Sequence, residues 1–446
     1  MKTGFSKICI NPPLGTPMVG YYEKRRVKGI HDDIFAKAVA FDDGERRAVI
    51  ITVEVCLLSS VQCDHFREKV AEYINIDKAG VYINCSHTHT GPTIGYEKLS
   101  QLEGNDEYDK TFEGSLCKVA EEAFLDMRES EFSYAEGRAE GISFVRRFRM
   151  KDGSVRTNPG VGNPDIAFPL GEVNETVKLI RIDRDGGKNL VFINYGLHAD
   201  SVGGEYISGD WPNVMCNTVE KVLDNAECIF LLGSQGDIGH INTNPAQGAR
   251  RGLEYESFDG VPRGYEHTLH MGRTVAGAAI GIYGKAEPFS ADKISFGSKR
   301  IFIPSNQDNS KLPESRKIKE LYESGRAHEL PYEDMELTTV VAEAMRICEL
   351  EHGPDGFEFT LSALRLGDFV LAGLPGECFA EIGRRIEDGF GKTQIMVCCL
   401  TNGGDSYFPT SSAYDEGGYE ARTSRLKKGG DDIIVKGMLE LLESVK

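Results

Sequence analysis

The chain has 446 residues, 40% of them hydrophobic and 27% charged, an ordinary globular balance with ample material for a core. Its 51 Lys and Arg stand against 69 Asp and Glu, a net charge of −18. That balance argues against a nucleic-acid or anionic-membrane partner, since phosphate attraction needs clustered cations.

The opening Met1-Lys2-Thr3-Gly4-Phe5-Ser6-Lys7 carries no apolar stretch of the signal-peptide kind, because Ile8-Cys9-Ile10 runs at once into Asn11-Pro12-Pro13. No run approaches the ~18 apolar residues of a membrane span. The 11 cysteines are dispersed and form no Cys-x-x-Cys pair, the pattern of buried thiols in a reducing compartment. A cytoplasmic protein is expected.

Short β-rich runs recur along the chain: Ala48–Val53, Gly80–Asn84, Leu190–Tyr195, Cys228–Leu232, Phe369–Ala372 and Gln394–Cys398. Each stops at Gly, Asn or another polar turn residue, as buried strands do. Between them, amphipathic spacing predicts helices over Asp109–Met127 and Asn213–Leu223, and later over Asp431–Leu442. The stretch Pro313–Glu351 is dense in Glu, Lys and Arg, with Leu, Ile, Met and Val at helical spacing. It predicts two helices joined near Leu330-Pro331, a helical excursion packed on the core, with a lid or a dimer arm as alternatives. Strand and helix mixed through the whole length predict an α/β layered fold. With no repeat or linker in view, residues 1–446 read as one domain.

The residues able to do chemistry follow the strand-like runs, where polar groups converge on one edge of an α/β fold. Cys85-Ser86-His87-Thr88-His89-Thr90-Gly91-Pro92 comes after Asn84, and Tyr195-Gly196-Leu197-His198-Ala199-Asp200 after Asn194. Gly233-Ser234-Gln235-Gly236-Asp237-Ile238-Gly239-His240 follows Leu232, Gly373-Leu374-Pro375-Gly376-Glu377 follows Ala372, and Thr401 to Tyr407 follows Leu400. Of the 10 histidines, His87, His89, His198 and His240 lie in these turns. A His-x-His pair puts both imidazoles on one side of an extended segment. Together with His198 and Glu377 it offers the imidazole and carboxylate donors of a catalytic Zn2+ site.

Other chemistries have weaker signatures. Ser86 and Ser234 lie outside any Gly-x-Ser-x-Gly elbow. The glycines around Gly236 match neither nucleotide-binding pattern and read as a tight turn. Cys85, Cys378 and the adjacent Cys398-Cys399 read as packed thiols. His267 and His270 read as core or surface residues, and His31 as a structural hydrogen-bonding residue.

Taken together, these motifs resemble the neutral (non-lysosomal) ceramidases and their shorter bacterial relatives, without the C-terminal immunoglobulin-like domain of the longer members. The resemblance rests on Ser86-His87-Thr88-His89-Thr90-Gly91-Pro92, on Gly29 to Asp32 with Ala36-Lys37-Ala38, and on His198 with Ile207-Ser208-Gly209-Asp210. It extends through Pro375-Gly376-Glu377, Tyr407-Phe408-Pro409-Thr410 and Tyr419-Glu420, in order over nearly the whole chain. It implies a sandwich of two large β-sheets flanked by helices, like the ceramidase N-terminal domain. It also implies Zn2+ held by His87, His198, Glu377 and Tyr407, with His89, Arg146 and Tyr419 as catalytic residues and Arg147 as the alternative arginine. The implied activity is hydrolysis of the amide bond of an N-acyl substrate, a lipid amide in the family, by attack of a zinc-bound water. The family's Gly-Asp-x-Ser-Pro-Asn is here Gly236-Asp237-Ile238-Gly239-His240-Ile241-Asn242, so its serine is replaced. The same centre acting on another small polar substrate, a sugar or an ester, is one alternative, and a non-catalytic zinc-binding protein is another. The expected partner is a small-molecule substrate, with neither nucleic acid nor membrane span, and a homo-oligomer is left open.

Overall fold

The computed structural model describes residues 1–97, 102–244, 252–255, 258–391 and 394–445. In its first half, strands β1 (Lys2–Cys9), β2 (Phe35–Asp42), β3 (Arg47–Val53) and β4 (Val81–Cys85) are followed by β5 (Arg128–Arg138), β6 (Thr176–Arg184), β7 (Asn189–Tyr195) and β8 (Ala226–Leu232). They form a nine-stranded sheet in the order β8-β7-β6-β5-β1-β2-β3-β4, its remaining strand, Glu287–Phe289, lying beside β5. The second half contributes a four-stranded sheet, β9 (Ile294–Pro304), β10 (Gly356–Leu366), β11 (Phe369–Gly373) and β12 (Ile395–Cys398), in that order.

Strand alternation divides the apolar residues between two faces. On β2, Val39 and Phe41 point one way and Ala36, Ala38 and Ala40 the other; on β7, Leu190 and Phe192 oppose Val191 and Ile193. Val39, Phe41, Leu190 and Phe192 meet Leu364, Leu366, Phe369, Leu371 and Met396 of the smaller sheet, so the two sheets share one dry interface. The outer face of the large sheet carries α1 (Ser60–Ile74), α2 (Asp106–Leu125), α3 (Asp210–Val222) and α4 (Tyr265–Tyr283). That of the smaller sheet carries α7 (Ala380–Phe390) and the C-terminal α10 (Gly430–Ser444). The architecture is therefore helix, sheet, sheet, helix, an α/β layered fold as the strand and helix patterns predict and the sandwich that the family resemblance implies. Cys398 lies between the sheets and Cys399 under the helices, both fully buried.

The large sheet curls until its edge strands β4 and β8 meet the end of β12, and buried asparagines hold that seam. Asn84 Nδ2 donates to the Cys399 carbonyl at 2.7 Å and to Thr401 Oγ1 at 2.9 Å, while its Oδ1 accepts from Leu232 N at 3.3 Å. Asn194 Nδ2 bridges the Leu231 and Val397 carbonyls. Strand-end amides thus satisfy backbone groups that no ladder reaches. They also draw the C-terminal ends of β4, β7, β8, β11 and β12 to one place.

The segment 312–350 forms an antiparallel hairpin of α5 (Leu312–Glu323) and α6 (Asp334–Leu350), broken over 324–333. Ile318, Val340, Val341 and Ala344 pack between the two. Arg422, on α9 (Tyr419–Thr423), ties α6 down through Glu343 at 2.6 Å and Glu336 at 3.0 Å. Arg346 on α6 donates to the Arg422 and Asn306 carbonyls. α8 (Ser411–Glu416) precedes α9 on the same side of the fold. Among the described residues no helix is long and apolar enough to cross a membrane.

Candidate metal centre and active site

Two residues beyond β4 the chain turns sharply at His87, whose φ of 71° is left-handed. Such backbone is uncommon for a residue other than glycine and costs of order 1–3 kcal/mol unless its surroundings impose it. Neighbouring turns impose it here. His89 N donates to the Ala199 carbonyl at 3.0 Å, and Thr88 Oγ1 to the Ser208 carbonyl at 2.6 Å. These bonds clamp the His87 turn to the His198 turn. Asp32 braces the second turn, accepting from Ser208 Oγ at 2.7 Å, Gly209 N at 2.8 Å and Tyr265 Oη at 2.9 Å. The Gly29–Asp32 and Ile207–Asp210 motifs are thus structural partners, and Gly29–Ile30 pairs in parallel with Tyr206–Ile207. His31 stacks on Tyr265, with ring centres 4.5 Å apart.

Glu377 arrives beyond β11 on a two-residue parallel bridge with Tyr407-Phe408. Gly376 permits that approach, since a Cβ there would lie 2.5 Å from the Ser406 carbonyl oxygen and 2.6 Å from the Phe408 ring. The bridge sets Glu377 directly beside Tyr407, a neighbour that no local sequence signal announces.

The side chains of His87, His198 and Glu377 then converge. Glu377 Oε2 is 3.0 Å from His87 Nε2 and 3.3 Å from His198 Nε2, and one donor atom from each residue lies within 4.8 Å of the others. Each imidazole turns its far nitrogen to a backbone carbonyl: His87 Nδ1 to Cys56 at 3.0 Å, His198 Nδ1 to Gln235 at 3.1 Å. A carbonyl only accepts, so both Nδ1 atoms carry protons and both Nε2 lone pairs face inward. This is the arrangement in which outer partners orient metal-binding histidines. Two lone pairs and a carboxylate oxygen in mutual contact make a donor set able to hold a cation.

The three groups strongly perturb one another's charge. Burial disfavours charge on Glu377, yet the facing His87 and His198 hold its carboxyl well below the usual carboxylate range. Against the same burial, Glu377 holds His87 well above an ordinary imidazole. His198 is lowered, by burial and then by the nearby Arg146 guanidinium. The donor set of two imidazoles and a carboxylate suits Zn2+. Cys56 also approaches His87, with Sγ 3.7 Å from Nδ1, and with His87 and His89 it makes a second group whose donor atoms lie within 4.8 Å of one another.

Tyr407 Oη lies 3.5 Å from His198 Nε2 and accepts from Arg146 Nη2 at 3.2 Å. Burial, followed by Glu377, pushes the Tyr407 phenol up, while Arg146 works the other way. Arg146 is fully engaged: Nε donates to Glu420 at 2.6 Å, Nη2 also to the Gly236 carbonyl at 2.8 Å, and Nη1 sits 3.3 Å from His198 Nε2. Arg147 points elsewhere, to Glu416 and the Gly417 carbonyl.

His87, Glu377, Tyr407 and Arg146 line one inner cavity of about 130 Å³, while His198, Arg147 and Glu420 do not. Tyr419 also lines it, its Oη 3.1 Å from Tyr22 Oη, as does His89, whose Nε2 is 3.3 Å from His87 Nε2 and whose buried Nδ1 has no partner. Ser86 and Ser234 do not line it, nor do Cys85 and Cys378.

One wall was not foreseen. Asp200, Asp259 and Arg263 line the cavity beside Tyr21 and Phe258. Arg263 makes paired bonds to Asp259, both at 2.8 Å, and stacks on the Tyr21 ring at 4.5 Å. His240 stands behind them, Nδ1 3.1 Å from Asp200 Oδ1 and Nε2 3.1 Å from the Pro262 carbonyl, apart from the other three turn histidines. His-x-Asp at 198–200 was the one local signal for this wall. Gln235 was missed too; its Nε2 lies 3.4 Å from Glu377 Oε2 while its carbonyl orients His198.

No family model matches the sequence. Solved structures do match the fold. The crystal structure of neutral ceramidase from Pseudomonas aeruginosa aligns with a TM-score of 0.71 at 16% identity, covering 100% of this chain and 75% of that one. A ceramidase complexed with C2 aligns at 0.72 and 14% identity, covering 100% and 76%. Over its whole length, this chain is built on the neutral ceramidase fold.

Proposed function

We propose that this protein is a Zn2+-dependent hydrolase that cleaves the amide bond of an N-acyl compound, with residues 1–446 acting as one catalytic unit. The observation that carries the reading is the convergence of His87, His198 and Glu377 beside Tyr407, at the wall of a cavity that also presents His89 and Tyr419. The named activity of the structural neighbours supports it. Bound there, Zn2+ would supply Lewis acidity and bring the pKa of a water to about 7.

This chain's own residues do the rest. Glu377 and the two histidines form the holding set, with Tyr407 as the fourth donor. His89 Nε2 and Tyr419 Oη face the space where an amide carbonyl fits, and each can donate a hydrogen bond to its oxygen as negative charge develops. Arg146 acts through others: with its donors turned to Glu420, Gly236, Tyr407 and His198, it fixes Tyr407 and offsets charge on the phenol oxygen. In the overall reaction water adds across the amide. The C–N bond breaks, a C–O bond forms, and the released amine takes up a proton. A purely metal-holding protein has no use for His89 and Tyr419 in the cavity, so turnover is the better reading than storage.

Tyr419→Phe tests this. The variant should keep full zinc, because Tyr419 is not among the holding donors, and lose about 10²–10³-fold in kcat, the effect of removing one oxyanion donor. Metal analysis alongside steady-state kinetics checks both halves; unchanged kcat would remove Tyr419 from the chemistry.

A further inference from the structure

The inner cavity opens past Asn158, Asp259 and Met335 into an outer compartment of about 570 Å³, these residues being common to both. The two differ in chemistry: the inner one is walled largely by apolar and aromatic side chains, among them Val19, Tyr21, Leu57, Phe258 and Met335, and the outer one is polar. The inner one carries Asp200, Asp259 and Arg263 opposite the metal-binding groups, and the outer one carries Arg156, His328, Glu333, Asp334 and Glu336.

That composition decides what can bind. An alkyl chain gains about 0.8 kcal/mol per methylene only where it leaves water for apolar surroundings. Laid against Asp259, Glu333 and Asp334 it gains little, and it strips hydration from carboxylates. The size of the inner space points the same way, since 130 Å³ lies below the ~300–1,000 Å³ of sites that enclose drug-sized ligands. The hairpin sets this limit. Met335 and Thr338 of α6 roof the inner cavity, and residues 328–336 form the outer wall. α6 is fixed there by the Arg422 ion pairs, and Tyr322 on α5 donates to the Tyr22 carbonyl at 3.2 Å. The roof is part of the wall.

Resting on the hydrolase reading above, we propose that the substrate is a small water-soluble N-acyl compound. Its scissile amide and a short group beyond it occupy the inner cavity, and its outward portion carries hydroxyl or charged groups. Long-chain lipid amides are excluded by the small inner volume, the polar outer lining and the Met335–Thr338 roof.

The test uses zinc-loaded full-length protein and a graded series: N-acetyl, N-butanoyl and N-dodecanoyl derivatives of glucosamine and of serine, with N-dodecanoylsphingosine in detergent micelles. The expected result is that kcat/KM for the acetyl or butanoyl compounds exceeds that for both dodecanoyl classes by at least about 100-fold. Equal or faster cleavage of N-dodecanoylsphingosine would overturn the proposal. Thermal stabilisation by the same compounds, which follows binding alone, separates the two claims. Stabilisation by the short polar amides without cleavage would sink the hydrolase reading and leave the size limit standing. Absence of any preference for the short compounds in that binding assay would sink the size limit itself. Met335→Ala removes Cγ, Sδ and Cε from the roof and should shift the butanoyl-to-acetyl ratio upward by about 10-fold; an unchanged ratio would take α6 out of the specificity argument.

Discussion

Replacing His198 by alanine is expected to abolish stoichiometric zinc binding and, with it, hydrolysis. The imidazole contributes one of the three converging donors, and its loss leaves Glu377 facing His87 alone. Removing even an outer partner of a metal ligand costs about 10–100-fold in affinity, so loss of a ligand should exceed about 100-fold. The side chain is fully buried, and its deletion should also cost about 2–4 kcal/mol by leaving a cavity. The fold should survive, because the backbone of the turn is held independently: the His198 carbonyl accepts from Trp211 Nε1 at 2.9 Å. Trp211 is the only tryptophan in the chain, so its emission reports folding next to the centre. Full zinc content in a folded His198→Ala protein would remove this residue from the metal site.

The second large effect is expected at Arg146. Its ion pair with Glu420 is buried on both sides, 7% and 0% exposed, at 2.6 Å. Arg146→Met leaves the Glu420 carboxylate without its cation and the Gly236 carbonyl without its donor, and should destabilise by about 3–5 kcal/mol. Glu420→Gln in the same chain should recover part of that loss, since the stranded charge is gone. Denaturant titration of the single and double variants measures the difference. Zinc affinity should fall in both, because Tyr407 loses the guanidinium that orients it. A double variant no more stable than the single one would show that the buried pair is not the source of the cost.

Which parts of the fold were legible in sequence follows from how each strand is covered. Every apolar run recognised belongs to one of the long parallel pairs β3/β4, β7/β8 and β11/β12, whose strands are covered on both faces and so read as continuous hydrophobic stretches. The antiparallel strands went unrecognised. β9 alternates, its burial mixed along Ile294–Pro304, while β2 is buried but interrupted in composition by Lys37. That ammonium is satisfied only in three dimensions, by the Cys228 carbonyl at 2.8 Å and Glu220 at 3.3 Å.

The candidate site divides in the same way. His87, His198 and Glu377 could be singled out because each follows a recognised strand, and the parallel strands bring their ends together. Tyr407 entered through family resemblance alone, since its tie to Glu377 is a pairing across 30 residues. Asp200, Asp259, Arg263 and Tyr21 come from separate loops with no shared motif, and only the folded chain shows them as one wall. The helices at 313–351 were legible as helices, and their break falls at 324–333 around the expected Leu330-Pro331. Their role in roofing the cavity was not legible, because it depends on Arg422 and Tyr22 from distant segments.

Zinc content per chain, measured by plasma mass spectrometry on protein purified without chelator or added metal, tests the central claim most directly. Close to one zinc per chain is predicted. A protein that carries no metal, and takes up none when zinc is supplied, would contradict the centre at His87, His198, Glu377 and Tyr407 and the hydrolase built on it.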